Sequence, residues 1–160
     1  MTAAAGDAIP DVELMTMTDQ GPKKVRSTDV LGTGRVVLFA VPGAFTPTCS
    51  DHHLPGFVFR EADLRERGVD TIACISVNDA FVMGAWSTDQ KVGDSVLMLA
   101  DGNGEFTRAM GLELDGSGFG LGTRSQRYAA ILDGGVITAL FVEPGGGLSV
   151  SSADSVLAAL

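Results

Sequence analysis

The chain holds two cysteines, Cys49 and Cys74, in unlike surroundings. Cys49 lies near the end of the string Val41-Pro42-Gly43-Ala44-Phe45-Thr46-Pro47-Thr48-Cys49-Ser50, whose prolines and glycine predict a turn. Pro47 suits the first turn of a helix, where its missing N–H is not needed. Cys49 is therefore expected at or near a helix N-terminus, where unpaired N–H groups and the helix dipole favour the nucleophilic thiolate. Thr46, three residues earlier, carries a hydroxyl that can donate to the sulfur or to an oxygen bound beside it. Cys74 sits instead inside the apolar run Thr71-Ile72-Ala73-Cys74-Ile75-Ser76-Val77 and reads as an inert core thiol.

Three rival chemistries for Cys49 are weaker. Packing as a small hydrophobe fits poorly with the polar, turn-forming neighbours Thr46, Thr48, Ser50 and Asp51. A metal site from Cys49, His52, His53 and Cys74 lacks any CxxC or HxxxH spacing, and adjacent histidines on a helix point about 100° apart. A cysteine hydrolase would need His52 or His53 as base, and both are too close in sequence to reach back over Cys49 easily. The residues call for no cofactor and no metal.

The elements that must position this turn follow from hydrophobic patterning. Val36 to Val41 is a continuous apolar, β-branched run, as expected of a strand buried on both faces; Val69 to Val77 and Ser95 to Ala100 read the same way. Helical patterns follow them at about Leu54 to Arg67, Ala80 to Asp89 and Gly104 to Met110. This alternation predicts a parallel α/β sheet, with Cys49 just beyond the carboxyl end of its first buried strand, where open α/β sheets place ligands. Tyr128 to Leu132 and Val136 to Val142, joined at Asp133-Gly134-Gly135, predict an antiparallel hairpin. Ser151 or Ser152 can cap a last helix. Gly116, Gly118, Gly120 and Gly122 lack the spacing of a phosphate cradle and read as a flexible loop. The expected architecture is an α/β fold with a mixed central sheet and helices on both faces.

At 160 residues the chain has the length of one domain, taken as 1–160. Its 45 % hydrophobic and 19 % charged content fits a soluble globular chain rather than a disordered one. A net charge of -9 removes the basic footprint that nucleic acid or an anionic membrane requires. With no recognisable targeting or membrane-spanning segment, a cytoplasmic location is the expectation.

The string Pro42-Gly43-Ala44-Phe45-Thr46-Pro47-Thr48-Cys49 matches the P-x-x-x-T-x-x-C signature of peroxiredoxins, and with His53-Leu54-Pro55-Gly56-Phe57 it resembles the type II, or peroxiredoxin-5-like, subfamily. The resemblance extends through Cys74 to Asp79, Leu99 to Asp101, Arg124 to Tyr128 and Val142-Glu143-Pro144. It implies a thioredoxin fold, a likeness to homodimers, and a thiol peroxidase acting on hydrogen peroxide or alkyl hydroperoxides through a Cys49 sulfenic acid. In that resemblance Thr46 hydrogen-bonds the peroxide, Pro42 shields the sulfur, and Arg127 completes the pocket; without it Arg127 reads as a surface charge, and Arg124 is ambiguous. The resolving cysteine that some members carry late in the chain is absent from Gly147-Leu148-Ser149-Val150, which leaves Cys74 as the one possible second redox thiol. The resemblance then implies reduction by glutathione with glutaredoxin, or by thioredoxin. A peroxide sensor that passes oxidation to a partner protein is the alternative function.

Overall fold

The computed structural model describes residues 1–160. It opens with a hairpin that hydrophobic patterning does not reveal, β1 (Glu13–Thr18) and β2 (Gly21–Arg26). Only Leu14 of these twelve residues is buried, so no apolar run marks them. A short helix α1 (Ser27–Leu31) leads into β3 (Arg35–Ala40), whose last five residues are buried. Between β3 and β4 (Thr71–Ser76) come a π-helical turn (Cys49–His53), α2 (Leu54–Phe59) and α3 (Glu61–Glu66).

The helix expected over residues 54–67 is thus two helices. Arg60 breaks it with φ -97° and ψ 13°, its side chain drawn to Asp63 at 3.0 Å and Asp154 at 3.4 Å. Leu54, Phe57 and Leu64 all face inward across the break, so the hydrophobic spacing survives it and conceals it.

The chain continues through α4 (Ala80–Asp89), β5 (Leu97–Ala100) and α5 (Glu105–Met110). Next, the glycine-rich stretch forms an ordered ribbon rather than a flexible loop. β6 (Glu113–Asp115) pairs with β7 (Thr123–Ser125) around a 3-10 turn, and Gly116 N–H donates to the Gly122 carbonyl at 2.7 Å. Strands of three residues with mostly exposed side chains leave no alternation to read. β8 (Tyr128–Asp133) and β9 (Val136–Val142) form the expected hairpin, with Asp133 paired to Val136. The turn is therefore the two residues Gly134 and Gly135, at φ 56° and 81°, which a type I′ turn requires. Ser152 caps α6 (Ala153–Ala159) by accepting from Ser155 N–H at 3.2 Å.

The sheet runs β2-β1-β5-β4-β3-β8-β9, parallel at β3/β4 and β4/β5 and antiparallel elsewhere. The period-2 alternation of the strands divides the core. Val37, Phe39, Cys74 and Ile131 face Phe57, Leu64, Met83, Trp86 and Val156 from α2, α3, α4 and α6. Val36, Leu38, Ile75 and Tyr128 face Leu31 of α1 and Phe106 and Met110 of α5. Burial of each large side chain contributes on the order of 1.5–3 kcal/mol, and the first of these two faces carries the site described next.

Candidate active site

The chain leaves β3 at Ala40, and Val41 N–H still donates to the Ile75 carbonyl at 3.1 Å. The next residues turn sharply. Phe45 adopts φ 64°, uncommon for a residue with a side chain, and it is exposed. Two features hold the turn in place: Ala44 N–H donates to Asn78 Oδ1 at 3.0 Å, and the Thr46 hydroxyl donates to the Gly43 carbonyl at 2.7 Å. Gly43 lies in close approach, since a Cβ there would meet Thr46 Cγ2 at 3.1 Å, tighter than ordinary contact. Half-buried Pro42 precedes it.

Helical backbone begins at Pro47, and Cys49 opens the π-helical turn, in which Leu54 N–H reaches back five residues to the Cys49 carbonyl. Such turns are rare and concentrate at functional sites. Cys49 is completely buried. Its neighbour Ser50 accepts from the indole N–H of Trp86 at 3.0 Å.

Arg127 immediately precedes β8, with the parity of Ala129 and Ile131, whose side chains face α2. Its side chain is 96 % buried and reaches the same pocket: Nη2 donates to Cys49 Sγ at 3.1 Å, and Nη1 donates to His53 Nδ1 at 2.9 Å. Arginine can only donate, so His53 Nδ1 must be the unprotonated nitrogen. Its Nε2–H then donates to the Ser151 carbonyl at 2.9 Å. The electrostatics agree with this tautomer. Burial, then the Arg127 charge, push the His53 pKa down to about 4, while the Ser151 carbonyl and Glu143 oppose them. His53 is a neutral ring at pH 7.

The placement of the remaining candidates is uneven. Thr46 lies in the turn, but its hydroxyl proton is directed to Gly43 rather than to the sulfur. The oxygen is left as an acceptor, able to receive the O–H of a hydroperoxide. Arg124 donates to the Leu121 and Val77 carbonyls and makes no bond to Cys49. His52 is exposed. Cys74 lies on the Cys49 face of β4, fully buried, and both cysteines are free. Burial holds the Cys74 thiol well above the ordinary range, the Cys49 charge adds to this, and Arg127 opposes it.

The Redoxin family model matches residues 4–157. This chain belongs to that family, and within it to the peroxiredoxins. It is 50 % identical to peroxiredoxin-2E, chloroplastic, of Arabidopsis thaliana, across 98 % of this chain and 69 % of that one. It is 47 % identical to peroxiredoxin-2B of the same plant, across 98 % of both. Among solved structures, reduced Prx3 from Vibrio vulnificus in complex with hydrogen peroxide superposes with a TM-score of 0.94 at 49 % identity, across 99 % of each chain. Peroxiredoxin 5 from Alvinella pompejana gives 0.87 at 37 %, across 98 % of this chain and 96 % of that one.

Two residues of this peroxiredoxin's site carry roles that the sequence does not assign them. His53 was weighed there only as a metal ligand or a base, and it instead bonds the guanidinium. Its available signal was the four-residue step from Cys49, which puts both side chains on one side of a helical turn. The other is Glu143, buried at the end of β9. Its carboxylate accepts N–H bonds from Ser149, Val150 and Ser151 and hydroxyl bonds from Ser149 and Ser151, all between 2.7 and 3.0 Å. Burial pushes this carboxyl up, but those bonds prevail and hold it down at about 2.

Proposed function

We propose that Cys49 is the sulfur that reduces hydrogen peroxide and organic hydroperoxides, and that an external thiol returns it to the reduced state. A peroxiredoxin is a thiol-dependent peroxidase, and the observation that carries the assignment to this residue is the guanidinium donor 3.1 Å from a buried sulfur. That donor is strongest when the sulfur carries negative charge, as the attacking thiolate does. Arg127 makes no ion pair with a carboxylate, so its charge is free to act on the reacting atoms. In the step, the sulfur lone pair forms an S–O bond to one peroxide oxygen and the O–O bond breaks. The electron pair leaves on the other oxygen, which takes a proton and departs as water or alcohol. Thr46 Oγ1 accepts the hydroperoxide O–H, and Arg127 stabilises charge developing on the oxygens. Pro42 helps keep bulk water from the sulfur.

The sulfenic acid on Cys49 is then attacked by a thiol, releasing water and forming a mixed disulfide, and a second thiol frees Cys49. Cys74 is a poor candidate for the first of these, being buried in β4 and held in its thiol form. Glutathione with glutaredoxin, or thioredoxin, fits the need for an external reductant. Because Cys49 has no exposed surface, such a partner reaches it only if the π-helical turn unwinds. The two free cysteines fit a reducing compartment, and we place the protein in the cytoplasm. Of the four exposed phenylalanines, Phe45, Phe81 and Phe119 support self-association as a homodimer. Their segments are linked by Ala44 N–H to Asn78 Oδ1 and Arg124 Nη1 to the Val77 carbonyl.

The test is peroxide consumption by the purified protein with glutathione plus glutaredoxin, against thioredoxin plus its reductase. Turnover with at least one system is expected. Single-turnover oxidation of Cys49 without turnover by either would exclude both as reductants. Sedimentation velocity reads the dimer.

A further inference from the structure

We infer that Glu143 is a positioning residue for peroxide reduction: acting through Ser151 and His53, it fixes the plane of the Arg127 guanidinium over the Cys49 sulfur. The inference rests on Cys49 being the peroxide-reactive sulfur. It starts from how little else holds Arg127. Nη2 meets the sulfur and Nη1 meets His53, while Nε is buried with no hydrogen-bond partner. A guanidinium anchored only at the reacting atom would be free to turn as that atom changes charge and bonding. His53 is therefore its one fixed anchor.

His53 is itself held by a single acceptor, the Ser151 carbonyl at 2.9 Å. Ser151 does not sit in a helix or strand, and it follows Gly145, Gly146 and Gly147, around which nothing approaches within 4 Å of where a side chain would begin. Three glycines give this segment much conformational freedom to lose. What orders it is the Glu143 carboxylate, which gathers three consecutive N–H groups and two hydroxyls, two of these bonds coming from Ser151 itself. Ser151 N–H and Oγ–H point at Glu143, and its carbonyl is left to receive His53.

The arrangement closes on itself. Glu143 N–H donates to the Arg127 carbonyl at 2.9 Å across the β8/β9 pairing. The backbone that carries Arg127 is thus bonded to the backbone that carries Glu143. From there a ring runs through the carboxylate, Ser151 and His53 back to the guanidinium of the same arginine. A ring referenced to its own arginine fixes the head of that side chain relative to its base, which a loop packed for stability alone would not need to do.

The experiment is a double-mutant cycle on the second-order rate constant for Cys49 oxidation by hydrogen peroxide. It is read by stopped-flow fluorescence of the sole tryptophan, Trp86, which donates to Ser50 beside the sulfur. Glu143→Gln should slow oxidation about tenfold, the scale of coupling through such networks. His53→Leu should slow it at least as much, and the double variant no more than His53→Leu alone, because the effect of Glu143 passes through His53. His53→Gln, whose amide offers one acceptor and one donor, should recover most of the rate. If Glu143→Gln does not fold, Ser151→Ala takes its place, with a loss of about threefold in the wild-type background and none in His53→Leu. Effects that multiply in the double variant, or a Glu143→Gln protein at wild-type rate, would overturn the inference. A wild-type protein that peroxide does not oxidise would instead sink the peroxidase reading. In that event the 15N shifts of the His53 ring still decide: they should move in Glu143→Gln, or in Ser151→Ala, and identical shifts would overturn the relay.

Discussion

Replacing His53 by glutamine should flatten the acid side of this protein's stability curve. In the unfolded chain the imidazole takes up its proton near pH 6.5, whereas in the folded chain burial and Arg127 delay this to about 4. Between those values the unfolded state binds more protons, so stability falls as pH falls. The contribution is fully present above pH 6.5 and is lost progressively as pH drops towards 4. At about 1.4 kcal/mol per tenfold, the full loss is about 3 kcal/mol, of which about 2 kcal/mol is gone by pH 5. Glutamine does not titrate. Urea unfolding of both proteins at pH 7 and pH 5, under reductant and at one protein concentration, isolates the difference, since every other group is common to both. Wild type should lose about 2 kcal/mol more than His53→Gln over this interval. Equal losses in the two proteins would mean that His53 is not buried as a neutral ring, and the tautomer assigned from the Arg127 bond would fail with it.

Further outcomes bear on the chemistry. Cys49→Ser should abolish peroxide consumption and Cys74→Ser should leave most of it; loss of turnover in a folded Cys74→Ser protein would refute the reading of Cys74 as a core thiol. Thr46→Val should slow Cys49 oxidation on the order of 10²-fold, as expected for one polar group lost from a transition state. It also frees the Gly43 carbonyl from its 2.7 Å bond, so circular dichroism must show the fold intact; stopped-flow oxidation at wild-type speed would remove Thr46 from the site. Arg127→Gln should cost on the order of 10²-fold or more. Arg127→Lys should restore only part of it, because one ammonium cannot reproduce a fork that meets Sγ at 3.1 Å and His53 at 2.9 Å together. Full recovery in Arg127→Lys would show that charge alone matters at this position.

What could be read from the residues follows from the range over which each signal acts. β3, β4 and β8 announce themselves as apolar runs because both faces of the sheet are covered there, and β9, at one edge, does so by composition although it buries only Ile137, whereas β1 and β2 at the other side of the sheet bury one residue of twelve and carry no such run. Pro42, Thr46 and Cys49 fall on one turn, so proximity in the chain already groups them. Arg127 stands 78 residues from Cys49, and only the family resemblance singled it out. Yet its strand parity with Ala129 and Ile131 carries a usable signal, since a charge one step before a buried strand, on its helix-covered face, must find a partner inside. Glu143 shows where local reading ends. Its sequence neighbours Pro144 and Gly145 say only that the strand stops, and its five donors come from beyond a glycine tract that places no constraint on where they land. The nucleophile was legible because a turn makes it; the residues that hold its arginine were not, because their partners are set by the closure of the fold.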